Sequence, residues 1–177
     1  DNTARTTGAN VPIYGAGAYF SGNGSFQTNA IVRNQAITNG GFVFGAAAWL
    51  NSTGQIKENT VIGNVAPDSD DAGGLYIAAQ STVINNNLYA NGDAAYLGSD
   101  LANALPQTNP DLNANNNYWG MTAADLIPGM INDWYDDLAK GLVDYEPFVT
   151  LPNLNAPLSP PTGLRVEVLS ATSVRVS

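Results

Sequence analysis

The sequence predicts an all-β fold: a parallel β-solenoid of about four coils, with a short helical segment closing its C-terminal end. Three observations predict it. Short apolar segments recur in fixed columns, the columns return every 27–30 residues, and asparagine recurs at fixed places between them. A repeat of that period suits one turn of a stacked structure, whose apolar face is buried by the turns above and below it.

The columns are read from "SFQTNAIVRN" (25–34), "QIKENTVIGN" (55–64) and "TVINNNLYAN" (82–91). Phe26, Ile56 and Val83 share one column. Asn29, Asn59 and Asn86 share the next. Ile31, Val61 and Leu88 follow, then Asn34, Asn64 and Asn91. A fourth copy, "DLNANNNYWG" (111–120), fits with Gly120 in the last column and a one-residue slip at Tyr118. Upstream of each copy runs a second set: "GAYFSG" (17–22), "AAWLNS" (47–52) and "GLYIAA" (74–79), with "AAYLGS" (94–99) as the fourth. Each repeat therefore holds two or three short alternating strands separated by Gly and Asn corners. Asparagine suits those corners on two counts. It tolerates left-handed backbone angles, and stacked amides can hydrogen-bond from coil to coil.

Residues 121–140 carry apolar side chains at helical spacing (Leu126, Ile127, Met130, Ile131, Trp134, Leu138), so a helical cap is expected there. Such a cap covers strand edges that would otherwise attract other chains. Residues 150–163 are Pro-rich and read as a linker.

Composition narrows the function classes. Fifteen acidic residues against six basic ones give a net charge of −9, which argues against nucleic acid and anionic membrane as partners. No run approaches the length of a membrane span. With no Cys and no His, the chain has no thiol nucleophile, no imidazole base and no usual zinc ligand set.

The "I-x-x-N-x-I-x-x-N" pattern with "GGLYI" upstream resembles the right-handed parallel β-helix repeats of pectate-lyase-like proteins. "NNNYWG" (115–120) leading through a helical stretch to "VDYEPF" (143–148) resembles the C-terminal closure of such modules. The resemblance covers residues 13–149 and implies fold rather than activity, since that fold carries lyases, hydrolases, adhesins and binding modules. "PPTGLRVEVLSATSVRVS" (160–177) resembles the first two strands of a fibronectin type III domain, which needs about seven. The repeat also begins almost at the first residue. The chain thus reads as the last few coils of a longer modular protein, with domains 1–149 (solenoid and cap), 150–163 (linker) and 164–177 (truncated fibronectin-like start).

Three constellations could carry function. Tyr19, Trp49 and Tyr76 fall in one column whose neighbours are apolar, so they are expected outward on one face, with Tyr96 extending the row. A flat aromatic strip of that kind stacks on sugar rings. Aromatic ladders also simply stabilise sheets. The second is acidic: Asp68, Asp70 and Asp71 in a corner insertion, with Asp93 at the matching place in the next coil. Their hard oxygens suit Ca²⁺, Asp71 and Asp93 could pair for glycoside hydrolysis, and a solvated Asp-rich turn would look the same. The third is a lyase site, for which Arg33 and Lys57 are the candidate bases. Neither shares the other's column or the register of the acidic insertion, so both read as surface charge.

The leading expectation is a non-catalytic extracellular or cell-surface module that binds polysaccharide through the aromatic strip. Two alternatives stay open: a fragment of a polysaccharide lyase or glycoside hydrolase, and a structural stalk or adhesin segment.

Overall fold

A computed structural model describes residues 1–67, 72–92, 99–159, 166–170 and 173–176 of the chain. Strands of two to seven residues wind into a parallel β-solenoid of about four turns. The first turn holds β1 (Thr3–Ala9), β2 (Ile13–Tyr14), β3 (Ala18–Gly22), β4 (Phe26–Gln27) and β5 (Ala30–Val32). The second repeats it with β6 (Gln35–Asn39), β7 (Val43–Phe44), β8 (Ala48–Ser52), β9 (Gln55–Lys57) and β10 (Thr60–Ile62). The third has β11 (Leu75–Ile77), β12 (Thr82–Ile84) and β13 (Asn87–Tyr89). Beyond it stand β14 (Leu101–Asn103) and β15 (Leu112–Asn113), then β16 (Ile131–Asn132) and β17 (Val143–Asp144).

Two five-stranded parallel sheets, β3-β8-β11-β14-β16 and β4-β9-β12-β15-β17, and the three-stranded β5-β10-β13 enclose the core. Two smaller sheets, β1-β6 and β2-β7, extend the first two turns. Register follows the sequence columns: Phe26 pairs with Ile56 and Ile56 with Val83, while Ile31 pairs with Val61 and Val61 with Leu88. Those columns are buried and stack along the axis with Leu50, Leu75, Ile77 and Leu101.

The asparagines form two ladders. In the first, Asn29, Asn59 and Asn86 each pass a backbone N–H and an amide N–H to the next residue's Oδ1 at 2.8–3.0 Å, ending on Asn117. In the second, Asn2, Asn34, Asn64 and Asn91 do the same, ending on Asp100. The fourth repeat therefore differs from expectation. Asn117 carries its rung, and the second ladder ends on Asp100 rather than at Gly120. Tyr118, expected to slip, bridges Asn87 in step.

Backbone angles at the corners also depart from the expected pattern. At the asparagine corners the left-handed residues stand just before the rungs: Thr28, Glu58, Asn85 and Asn116 in one column, Arg33, Gly63 and Ala90 in the other. The rung asparagines are held by their amides and leave the left-handed turn to the residue before them.

The expected helix is a single 3-10 segment, Ala124–Met130, which places Ile127 in the core. It stops because Ile131 and Asn132 are claimed as strand by Leu101 and Ala102. Leu126 and Leu138, expected on the buried face, are exposed.

The Pro-rich segment runs back along the third sheet. Asn153 donates from its backbone N–H to Asn87 Oδ1 (2.7 Å), Asn87 Nδ2 donates to the Asn153 carbonyl (3.1 Å), and the Thr60 hydroxyl donates to the Pro157 carbonyl (2.6 Å). Of the fibronectin-like pattern, a two-stranded antiparallel hairpin is described, β18 (Val166–Ser170) with β19 (Ser173–Val176).

Candidate functional site

The alternation along β3, β8 and β11 follows from the period of two in a strand. Ala48, Leu50, Leu75 and Ile77 point into the core and are buried, while Tyr19 is exposed and Trp49 and Tyr76 are half-buried. Tyr19 pairs with Trp49, and Trp49 with Tyr76. The position opposite Tyr76 on the next strand is Ala102, not Tyr96. Tyr96 itself lies outside the described residues.

The rings do not form a flat strip. Tyr19 and Trp49 stack with centroids 4.6 Å apart and planes 12° apart. Rings on adjacent coils that stack this way turn their faces toward each other along the solenoid axis. Tyr19 stands on β3, the edge strand of its sheet, and is 61% exposed.

A second aromatic row, which the columns had not disclosed, joins the first. Tyr14 and Phe44 lie opposite each other in β2 and β7 and stack at 5.0 Å and 21°. Phe42 continues the row at 6.1 Å from Phe44. The two rows meet across a tight corner. Tyr14 stands edge-on to Trp49 at 5.9 Å and 86°, and Phe44 edge-on to Tyr76 at 5.0 Å and 68°. Glycine makes the corner possible. Gly15 and Gly45 have φ of +65° and +74°, and a Cβ there would sit 1.8 Å from the Ala18 carbonyl oxygen and 2.1 Å from that of Ala48. The signal was present as "IYGAGAY" and "VFGAAAW", where an aromatic precedes each corner glycine. It was missed because β2 and β7 are only two residues long, too short to show alternation.

The outcome is a six-ring cluster, Tyr14, Tyr19, Phe42, Phe44, Trp49 and Tyr76, on the outside of the first three turns. Tyr14, Tyr19 and Phe42 are its most exposed members. Because Tyr14 is nearly perpendicular to Trp49, and Trp49 nearly parallel to Tyr19, the ring planes of Tyr14 and Tyr19 are roughly perpendicular.

Asp68, Asp70, Asp71 and Asp93, the expected calcium or catalytic carboxylates, lie outside the described residues. Arg33 pairs with Asp1 through Nε at 3.1 Å. A separate cleft of about 700 Å³ opens near the last strands, rimmed by Asp111, Asp133, Asp136 and Asp144 with Tyr135 and Tyr145 over Ile131 and Val143. Asp133 is occupied structurally, accepting the Tyr135 N–H on Oδ1 and the Val143 N–H on Oδ2 at 3.0 Å each. Burial, then Glu146, then Tyr135 push the Tyr145 hydroxyl pKa up. That cleft favours a cation over an anion, on charge alone.

No family model, curated protein or solved structure matches this chain. Its likeness to pectate-lyase-like repeats accordingly extends to the parallel solenoid and no further.

Proposed function

We propose that this chain is a non-catalytic, extracellular polysaccharide-binding module of a longer modular protein, and that it binds through the aromatic cluster at its first three turns. The observation that supports this is a contiguous group of six rings outside the core, three of them well exposed, on a backbone held rigid by two asparagine ladders. An exposed aromatic patch of this kind marks an interaction site. Its open ring faces suit the C–H faces of sugars, and its rigidity keeps the entropic cost of binding low. A few stacked rings contribute modestly, so a single module binds weakly, in the millimolar to high-micromolar range by order of magnitude. Many copies along one polymer would raise that by avidity.

The test is retention on immobilised polysaccharide. Tyr19→Ala removes one of the three exposed rings and should weaken retention while the fold is unchanged by circular dichroism. Undiminished retention would overturn the assignment of the site.

A second reading, a structural stalk, is favoured by one observation: the Tyr19–Trp49 and Tyr14–Phe44 stacks spend ring faces on each other, as rings that only brace a sheet would. It predicts that Tyr19→Ala changes stability and nothing else.

A further inference from the structure

The cluster sits in a part of the chain without charge. No Asp, Glu, Lys or Arg occurs from Thr6 to Val32, from Asn34 to Ile56, or from Ala72 to Gly92, and all six rings lie within those stretches. The basic residues of the solenoid are elsewhere. Arg5 is on β1 and Lys57 on β9, both in other sheets; Arg33 is paired with Asp1; and Lys140 is buried, its Nζ donating to Asn132 at 2.8 Å. In the stretch between Ile56 and Ala72 the charges are Lys57 and four acidic residues, Glu58, Asp68, Asp70 and Asp71.

What accompanies the rings on their own face is polar and neutral. Ser21 follows Tyr19 by two residues and Asn51 follows Trp49 by two, so both share the outward face, and they pair across the sheet. A hydroxyl and an amide both donate and accept, which matches sugar hydroxyls. A carboxylate-bearing polymer would instead need Arg or Lys to replace its lost hydration. It would also approach a chain of net charge −9.

We infer that the ligand of this cluster is an uncharged polysaccharide, held by ring stacking and by the neutral groups Ser21 and Asn51, and not a polyuronate or sulfated glycan. This rests on the polysaccharide reading above and narrows it.

The experiment is affinity electrophoresis of the full chain through gels containing hydroxyethyl cellulose, xylan or polygalacturonate, at low and high salt, with sedimentation velocity run alongside. An uncharged polymer should retard the protein equally at both salts, and polygalacturonate should not retard it. Tyr19→Ala should weaken retardation about threefold to tenfold. Asn51→Lys should weaken retardation by the uncharged gels, since it removes a ligand-holding amide, and should create salt-sensitive retardation by polygalacturonate. If the parent chain binds polygalacturonate as well as the uncharged gels, the charge inference is wrong while the polysaccharide reading survives. If no polymer retards it, both fall. If it self-associates and Tyr19→Ala abolishes that association, the occupant is a second copy of the chain, and both fall.

Discussion

Asp100 receives both N–H groups of Asn91 on a single oxygen: the backbone N–H at 2.9 Å and the amide Nδ2 at 2.7 Å. It thereby takes the acceptor half of an asparagine rung. It does so from the neighbouring strand, since its own carbonyl accepts Leu75 N–H, where a rung asparagine would stand at the preceding corner. The second ladder thus ends on a buried carboxyl rather than on an amide.

That ending should make stability depend on pH. Burial raises the Asp100 pKa from 3.8 to about 7, against the lowering effect of the Asn91 hydrogen bonds. The folded chain therefore holds this proton to about pH 7, and the unfolded chain releases it near pH 4. Between those values the folded state binds more protons, so this contribution to stability falls as pH rises and is fully lost above about 7. The change is bounded by roughly 4 kcal/mol at about 1.4 kcal/mol per pKa unit. Asp100→Asn should remove it, leaving acid stability nearly unchanged and raising stability at pH 8. Urea unfolding of both proteins at pH 4 and pH 8 measures the difference, and an identical pH slope in the two would sink the assignment.

Asn59 stands in the middle of the first ladder, taking two hydrogen bonds from Asn29 and giving two to Asn86 and one to the Phe26 carbonyl. Asn59→Val leaves buried groups without their amide partner and should cost about 2–3 kcal/mol in all. The melting temperature should drop by roughly 5–10 °C. A variant melting with the parent would mean that the ladder is not holding the corner.

Ala90 has φ of +56°, a conformation that costs an L-residue about 1–2 kcal/mol and that asparagine tolerates. Gly63 fills the same place one turn earlier. Ala90→Asn should stabilise by about 0.5–1 kcal/mol, which denaturant titration reads directly. Destabilisation would show that the exposed methyl group contributes a contact that outweighs the backbone strain.

Trp49 and Tyr19 should separate support from recognition. Trp49 stacks on Tyr19 and meets the edge of Tyr14, so Trp49→Ala should cost about 1–3 kcal/mol through two aromatic contacts. Tyr19→Ala breaks only the stack and should cost about half as much. Calorimetry on the two variants decides it. Equal melting temperatures would put the two rings in the same role.

Much of this architecture was legible because a solenoid is nearly one-dimensional. Each residue's main neighbours lie one repeat away, so a 27–30-residue offset in the sequence is also a spatial contact. That is why the Phe26–Ile56–Val83 core column, the Asn29–Asn59–Asn86 rungs and the Tyr19–Trp49–Tyr76 row could all be read before any coordinate. Where the offset drifts, the reading slips. The rung after Asn86 lies 31 residues on, at Asn117, and the rung after Asn91 only nine on, at Asp100.

Tertiary structure alone decided what the repeat does not encode. Stacking between coils sets the orientation of Tyr19 and Trp49, so two rings expected side by side in a flat strip lie face to face. The second row, Tyr14, Phe42 and Phe44, reaches the first only because Gly15 and Gly45 fold the chain through a corner no other residue fits. The cap shortened because Ile131 gains more from a waiting strand edge than from another helical turn, and the Pro-rich segment is tied down by Thr60 and Asn87 at a distance in sequence that no local pattern records. Periodicity reports which residues are stacked; only packing between non-repeating parts decides which faces of them remain open.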